Sequence, residues 1–150
     1  MEALRSPAND LGSGDDMCGG VYFTDQGEDV RFYFANPKAT LPVLTKAHVI
    51  QRVPWGRREN QAGVLPLGGC AHLDAIYSGR WDRWMPTPVK LAVKCFMELD
   101  IEGHARWYDL TKSQYLQGLV AHDGHERRVY VVTITPQRSD AIHERWPRIV

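Results

Sequence analysis

A chain of 150 residues is long enough for one domain that buries about 70% of the surface its unfolded form exposes. Eighteen Lys and Arg balance eighteen Asp and Glu, which excludes a global basic field and leaves nucleic-acid binding to a local patch. The three cysteines, Cys18, Cys70 and Cys95, stand far apart with no C-x-x-C pair, and no apolar run reaches the length of a membrane span. A disulfide framework and a spanning helix are therefore excluded, and a soluble, cytoplasmic protein is expected.

Residues 1 to 17 are rich in Gly, Ser, Asp, Asn and Pro and nearly lack large apolar side chains, a composition that cannot bury enough surface to order itself. They read as a disordered leader ahead of a single domain spanning 18 to 150. Cys18 follows Met17 and precedes Gly19-Gly20. As the first residue of a mature chain it would carry an α-amine beside a thiol. An α-amine titrates near pH 8 and a lysine near 10.4, so the terminal amine is by far the more reactive toward an aldehyde at neutral pH. The thiolate can then close on the imine to form a thiazolidine. The alternative is a buried cysteine opening a strand.

Val21 to Phe23 and Val30 to Ala35 read as two strands joined by the polar turn Asp25 to Asp29. Leu41 to Val53 favours one further strand, ending at Pro54-Trp55-Gly56-Arg57-Arg58. There an aromatic face adjoins two guanidinium groups, the combination that stacks a base and holds a phosphate; a packed Trp with solvated arginines is the other reading. Residues 59 to 70 hold three Gly and a Pro and read as irregular.

Positions 73, 76, 77, 81 and 84 are apolar or aromatic at spacings of three and four, which predicts a helix over 73–84 with Asp74 as N-cap, stopped by Pro86 and Pro88. Val89 to Leu99 alternates as a strand ending at Glu98, a carboxylate between Met97 and Leu99 that is a candidate for acid-base work. Residues 104–110, 115–121 and 128–135 are three more strands. Pro147 to Val150 resembles the start of another, so the domain is expected to be incomplete at its C-terminus. About seven strands and one helix predict a β-dominated α+β domain, a curled or barrel-like, mostly antiparallel sheet.

Met17-Cys18-Gly19, Trp55-Gly56, Phe96-Met97-Glu98, the Thr-containing strand Val131 to Thr135, and Ile142-His143-Glu144-Arg145-Trp146-Pro147 together resemble the SOS response-associated peptidase (SRAP) family. That family combines M-C-G, W-G, F-x-E, T-T-x-A-type and I-H-x-R-M-P elements. The resemblance implies a sensor of abasic sites in single-stranded DNA, which joins its N-terminal cysteine to the ring-opened sugar after removing whatever precedes that cysteine. It implies Cys18 as nucleophile, Glu98 as proton-transfer group and His143 as the group that protonates the sugar oxygen. It also implies DNA contacts from Asp74, Trp55, Arg57, Arg58, Arg80 and Arg145. Neither a cofactor nor an obligate protein partner is expected. The family's N-A-R-A-E element is reduced here to Asp74-Ala75-Ile76, which loses the phosphate-binding arginine at Ile76; either Arg57, Arg58 or Arg80 supplies that cation or affinity for DNA is reduced. Two other readings stay open. One is a cysteine hydrolase using Cys18, His143 and Glu98. The other is a non-enzymatic binding module presenting Trp55, Arg57, Arg80, Trp81 and Arg83. A metal site from Cys70, His72, Cys95 and His104 lacks ligand spacing.

Overall fold

The computed structural model describes residues 19–135 and 145–150. Strands dominate them. β1 (Gly20–Asp25) and β2 (Glu28–Tyr33) form the expected hairpin, turning at Gln26 and Gly27 with φ of 52° and 80°. Positive φ at both central residues matches the turn to the twist of its strands.

The single strand expected over 41–53 is instead a second hairpin, β3 (Thr40–Leu44) with β4 (Ile50–Pro54). Its turn lacks glycine. Thr45 accepts from Val49 through its side-chain oxygen and donates its backbone N–H to the Val49 carbonyl at 2.9 Å, while His48 takes the left-handed conformation with φ of 63°.

β5 (Cys70–His72) leads into the short helix α1 (Leu73–Tyr77). The helix expected to reach residue 84 stops there, because the chain turns through Gly79 at φ 87° and resumes as a 3-10 turn, Asp82–Trp84. The N-cap is His72, not Asp74, which lies inside the first turn.

The strand expected over 89–99 is also two elements, β6 (Thr87–Leu91) and β7 (Cys95–Leu99), in different sheets. Residues 92–94 carry the chain between them, tied by hydrogen bonds from Ala92 N–H to Pro42 and from Lys94 N–H to Tyr22. β8 (Ala105–Asp109), β9 (Leu116–Asp123), β10 (Glu126–Ile134) and β11 (Trp146–Pro147) complete the set.

These strands form two open sheets, not one closed barrel. The smaller has the order β2-β1-β7-β8 and is antiparallel throughout. The larger has the order β11-β10-β9-β6-β3-β4, with β5 running parallel to β10. The segment from Arg145 to Val150 fills the fork where β9 and β10 diverge. Arg148 N–H donates to Val132, Gln117 N–H donates to Arg148, and Tyr115 and Val150 exchange both their backbone bonds.

Alternation along β10 sorts the core into two layers. Val129 and Val131 face the small sheet and pack with Val21, Phe23, Phe96 and Leu41. Tyr130 and Val132 face the other way and pack with Leu65, Ala71 and Trp81 beneath α1 and the 59–70 loop. A fully buried aliphatic or aromatic side chain contributes about 1.5–3 kcal/mol, so the inter-sheet layer is the main stabilising element. Among the described residues no helix is long and apolar enough to cross a membrane.

Candidate functional site

The site begins where β1 enters the small sheet. Gly19 N–H donates to the Met97 carbonyl at 2.8 Å, while Gly20 is the register partner of the same Met97. Two residues facing one is the geometry of a β-bulge, a device that re-aims a chain next to a site. Glycine suits both places because a Cβ on Gly19 would lie 3.2 Å from the Met97 methyl, and one on Gly20 would lie 3.2 Å from the Tyr33 ring. On its other side Gly19 accepts from Phe34 N–H at 3.0 Å. The residue that directly follows Cys18 is thus held between β2 and β7.

Glu98 is the next residue after Met97. It is 3% exposed and belongs with Thr133 to the few buried polar side chains. By alternation it shares a face with Phe96, whose ring lies 5.3 Å from Trp146 and 5.4 Å from Tyr108, so the Glu98 carboxyl is directed into the space between the sheets. On the facing sheet, β5 and β10 run in register with His72 opposite Thr133, and His72 Nδ1 and Thr133 Oγ1 share a hydrogen at 2.6 Å. This bond uses the His72 ring laterally, and its side chain makes no capping bond to α1. Pro147 is the other register partner of Thr133.

An open groove of about 190 Å³ adjoins this pair, lined by His72, Asp74, Ala75, Ser78, Arg80 and Arg145. Arg145 Nη1 lies 3.5 Å from Asp74 Oδ1, and Ala75 N–H donates to the same oxygen at 3.0 Å. Desolvation raises the Asp74 carboxyl, but Arg145 and the Ala75 amide outweigh it and hold its pKa below the usual value. The groove therefore presents a carboxylate already matched to one guanidinium, with Arg80 beside it as a second cation.

Comparisons with protein-family models, curated proteins and solved structures find no match.

The candidate residues from the sequence fall into three groups. Glu98 follows Met97, to which Gly19 is bonded, and Asp74, Arg80 and Arg145 line the groove. Cys18 and His143 lie outside the described residues.

The remaining three, Trp55, Arg57 and Arg58, are framework. Trp55 is fully buried, with its Nε1 donating to the Gly69 carbonyl at 3.1 Å and its ring 5.3 Å from Phe34, so no base can stack on it. Arg57 donates to the carbonyls of Leu65 and Gln61 at 2.6 and 2.7 Å. Arg58 donates to those of Phe34 and Trp55 at 2.7 and 2.6 Å, and its guanidinium lies 3.9 Å from the Phe34 ring centre. Burial, with Arg128 nearby, lowers its pKa to about 10. Both guanidiniums brace the 57–68 loop, whereas Arg80 lines the groove.

Trp81 is likewise buried, against Tyr130 at 4.8 Å, whereas Arg83 lies over Trp84 at 4.5 Å on the surface. Among the described residues no group of three or more His, Cys, Asp or Glu could hold a metal ion. Sequence reasoning assigned no role to the His72–Thr133 pair. Its signal was a threonine inside the apolar run Val129 to Ile134, where a hydroxyl needs a partner.

Proposed function

We propose that the protein senses abasic sites in single-stranded DNA and links to them covalently through Cys18 once that residue is the chain terminus. The supporting observation is the anchoring of Gly19. The residue joined to Cys18 through one peptide bond is fixed by backbone hydrogen bonds on both sides, and the strand that anchors it presents the buried Glu98 at the next position. The chain resembles the SRAP family in this same pairing of an M-C-G start with an F-x-E strand.

In this reading the Cys18 amine adds to C1′ of the ring-opened deoxyribose. The carbinolamine loses water to give an imine, and the Cys18 thiolate adds to the imine carbon, closing a thiazolidine while the nitrogen takes up a proton. Glu98 carries protons in the addition and dehydration steps, and His143 protonates the sugar oxygen. Arg80 and Arg145, at the groove beside His72 and Asp74, take the phosphates that flank the lesion. Exposure of the amine requires removal of the residues before Cys18, and the same nucleophile and carboxyl serve that cleavage.

The test uses protein with a verified Cys18 terminus and a single-stranded oligonucleotide carrying one abasic site. An adduct that survives denaturing electrophoresis is expected, and none with an intact strand. Cys18→Ser keeps the amine but lacks the thiol, so its adduct should require borohydride for trapping. Glu98→Gln and His143→Ala should slow the reaction by about 10²- to 10⁴-fold. A Cys18→Ser adduct as durable as that of the wild type, or no adduct at all from the wild type, overturns the proposal.

A further inference from the structure

The outer face of the small sheet carries an apolar patch that the candidate site does not use. Tyr33, Gly20, Met97 and Trp107 are register partners in one row across all four strands. Because Gly20 has no side chain, the Tyr33 ring leans over it and meets Trp107 edge to face, with centroids 6.2 Å apart. Leu99 stands two residues beyond Met97 on the same face, and Tyr33, Trp107 and Leu99 are 46%, 36% and 55% exposed. The solvent side of a two-layer sheet is ordinarily polar, and a contiguous exposed apolar patch marks an interaction surface.

The next row reads Arg31, Tyr22, Cys95, Asp109 from β2 to β8. It sets an exposed cation on one edge strand and an exposed carboxylate on the other. The Arg31 guanidinium lies 5.6 Å from the Tyr22 ring centre and 5.2 Å from that of Trp107. Asp109 accepts from the Cys95 thiol and Asp29 from the Thr24 hydroxyl, both at 3.1 Å. Among the described residues, Arg31 has no carboxylate within ion-pair distance, and neither Asp29 nor Asp109 has a cation. Tyr, Trp, Met and Arg are the residue types that interface cores favour.

With both signs on one face, a partner of a single sign meets repulsion at one edge. The partner that fits carries the same rings and the same charges in reversed order. A second copy supplies that order when turned about a two-fold axis parallel to the strands and lying between β1 and β7. Its β8 then covers β2, and its β2 covers β8. Arg31 of each copy faces Asp109 of the other, and Tyr33 of each faces Trp107 of the other. Sheets stack in this aligned manner about 10 Å apart with strand directions within about 30°.

We infer that this face is a self-complementary interface at which two copies of this chain pair, sheet on sheet. Zero formal net charge leaves no long-range repulsion between them. A two-fold interface of this kind is closed, so assembly stops at two. The pairing uses no part of the Cys18 chemistry, since Glu98 lies on the opposite face of β7.

The test is light scattering and sedimentation velocity on the full chain from about 1 to 100 µM. The mass should rise to a plateau at twice 17.1 kDa. Trp107→Ala alters both copies at once and should weaken association by about 30-fold or more. Arg31→Glu sets carboxylate against carboxylate, and Asp109→Arg sets guanidinium against guanidinium, so each alone should stay monomeric. Mixed in equal amounts the two should dimerise, because both two-fold-related contacts then join opposite charges. Far-ultraviolet circular dichroism establishes that the variants fold, and the two charge variants, at exposed positions, carry the test if Trp107→Ala does not. A wild type that stays at 17.1 kDa, a mass that climbs without a plateau, or a dimer that any of these folded variants leaves intact overturns the inference. So does a mixture of the two charge variants that remains monomeric.

Discussion

Gly56→Ala tests whether the Trp55-Gly56 turn is framework, as its geometry requires. Gly56 has φ of 55°, and a Cβ built there would stand 2.1 Å from the Gly68 carbonyl oxygen and 2.8 Å from the Gly69 Cα. Both are backbone atoms, held by Gly56 N–H to Val129 at 2.8 Å and by the reciprocal Arg57–Gly68 pair at 3.1 and 2.8 Å, so no flexible side chain can yield. Gly124 is the matched control, with φ of 59° and nothing within 4 Å of its added Cβ. The left-handed conformation costs an alanine about 1–2 kcal/mol at either position, partly offset by about 0.4–1 kcal/mol from the stiffer unfolded chain. Gly124→Ala should therefore lose about 1 kcal/mol or less. Gly56→Ala adds a backbone displacement, which brings the expected loss to roughly 3–5 kcal/mol. For a chain of this size that separates the two midpoints by about 6 °C or more. Urea unfolding read by tryptophan fluorescence and thermal melts read by circular dichroism give the two values. Equal destabilisation by both substitutions would refute the argument, because it would assign the whole effect to φ and none to the contact with Gly68 and Gly69.

Arg58→Ala leaves the Phe34 and Trp55 carbonyls without their charged donor and should cost about 2–4 kcal/mol in urea unfolding. The salt dependence of single-strand binding should not move, since this guanidinium reaches no ligand. Burial first, and then the Asp109 carboxylate, push the Cys95 thiol up to about 11, so at pH 8 roughly a thousandth of it is thiolate. Asp109→Asn should accelerate its alkylation by iodoacetamide about threefold to tenfold, measured by peptide mapping. Glu126 is raised by desolvation but held net below its ordinary pKa by Arg128 and by the Val64 and Leu65 amides. Its stabilisation is complete above the unfolded value near 4.5 and is lost as pH falls through the lower folded value. The stability gap between wild type and Glu126→Gln should accordingly narrow below about pH 4, and a gap independent of pH would contradict the linkage.

The sequence made local punctuation legible and long-range partition illegible. The β1–β2 hairpin could be read because Gln26-Gly27 interrupts two β-branched and aromatic runs. The β3–β4 turn could not, because Thr45 to Val49 contains no Gly, Pro, Asn or Asp and closes through a threonine side chain and a left-handed His48. Alternation from Val89 to Leu99 continues across residues 92–94, so nothing local reveals that its two halves enter different sheets. At the site, Glu98 was legible as a carboxylate among apolar neighbours. Trp55, Arg57 and Arg58 misled because an aromatic next to two cations has the same composition in a binding surface as in a loop brace. Only the carbonyls of Phe34, Gln61 and Leu65 decide between them, and those come from residues up to 24 positions away.

The wedge formed by residues 145–150 carries a cost in the order of synthesis. These residues emerge from the ribosome after every other described strand, yet the Val132 carbonyl and the Gln117 N–H have their partners on Arg148. A nascent chain that has already paired β9 with β10 still holds an open cleft whose walls are unpaired strand backbone. Completion of the large sheet therefore waits on residues 145–150. A ribosome stalled before Arg145 would release a protein with most of its core assembled and a ready-made slot for a neighbouring chain's strand.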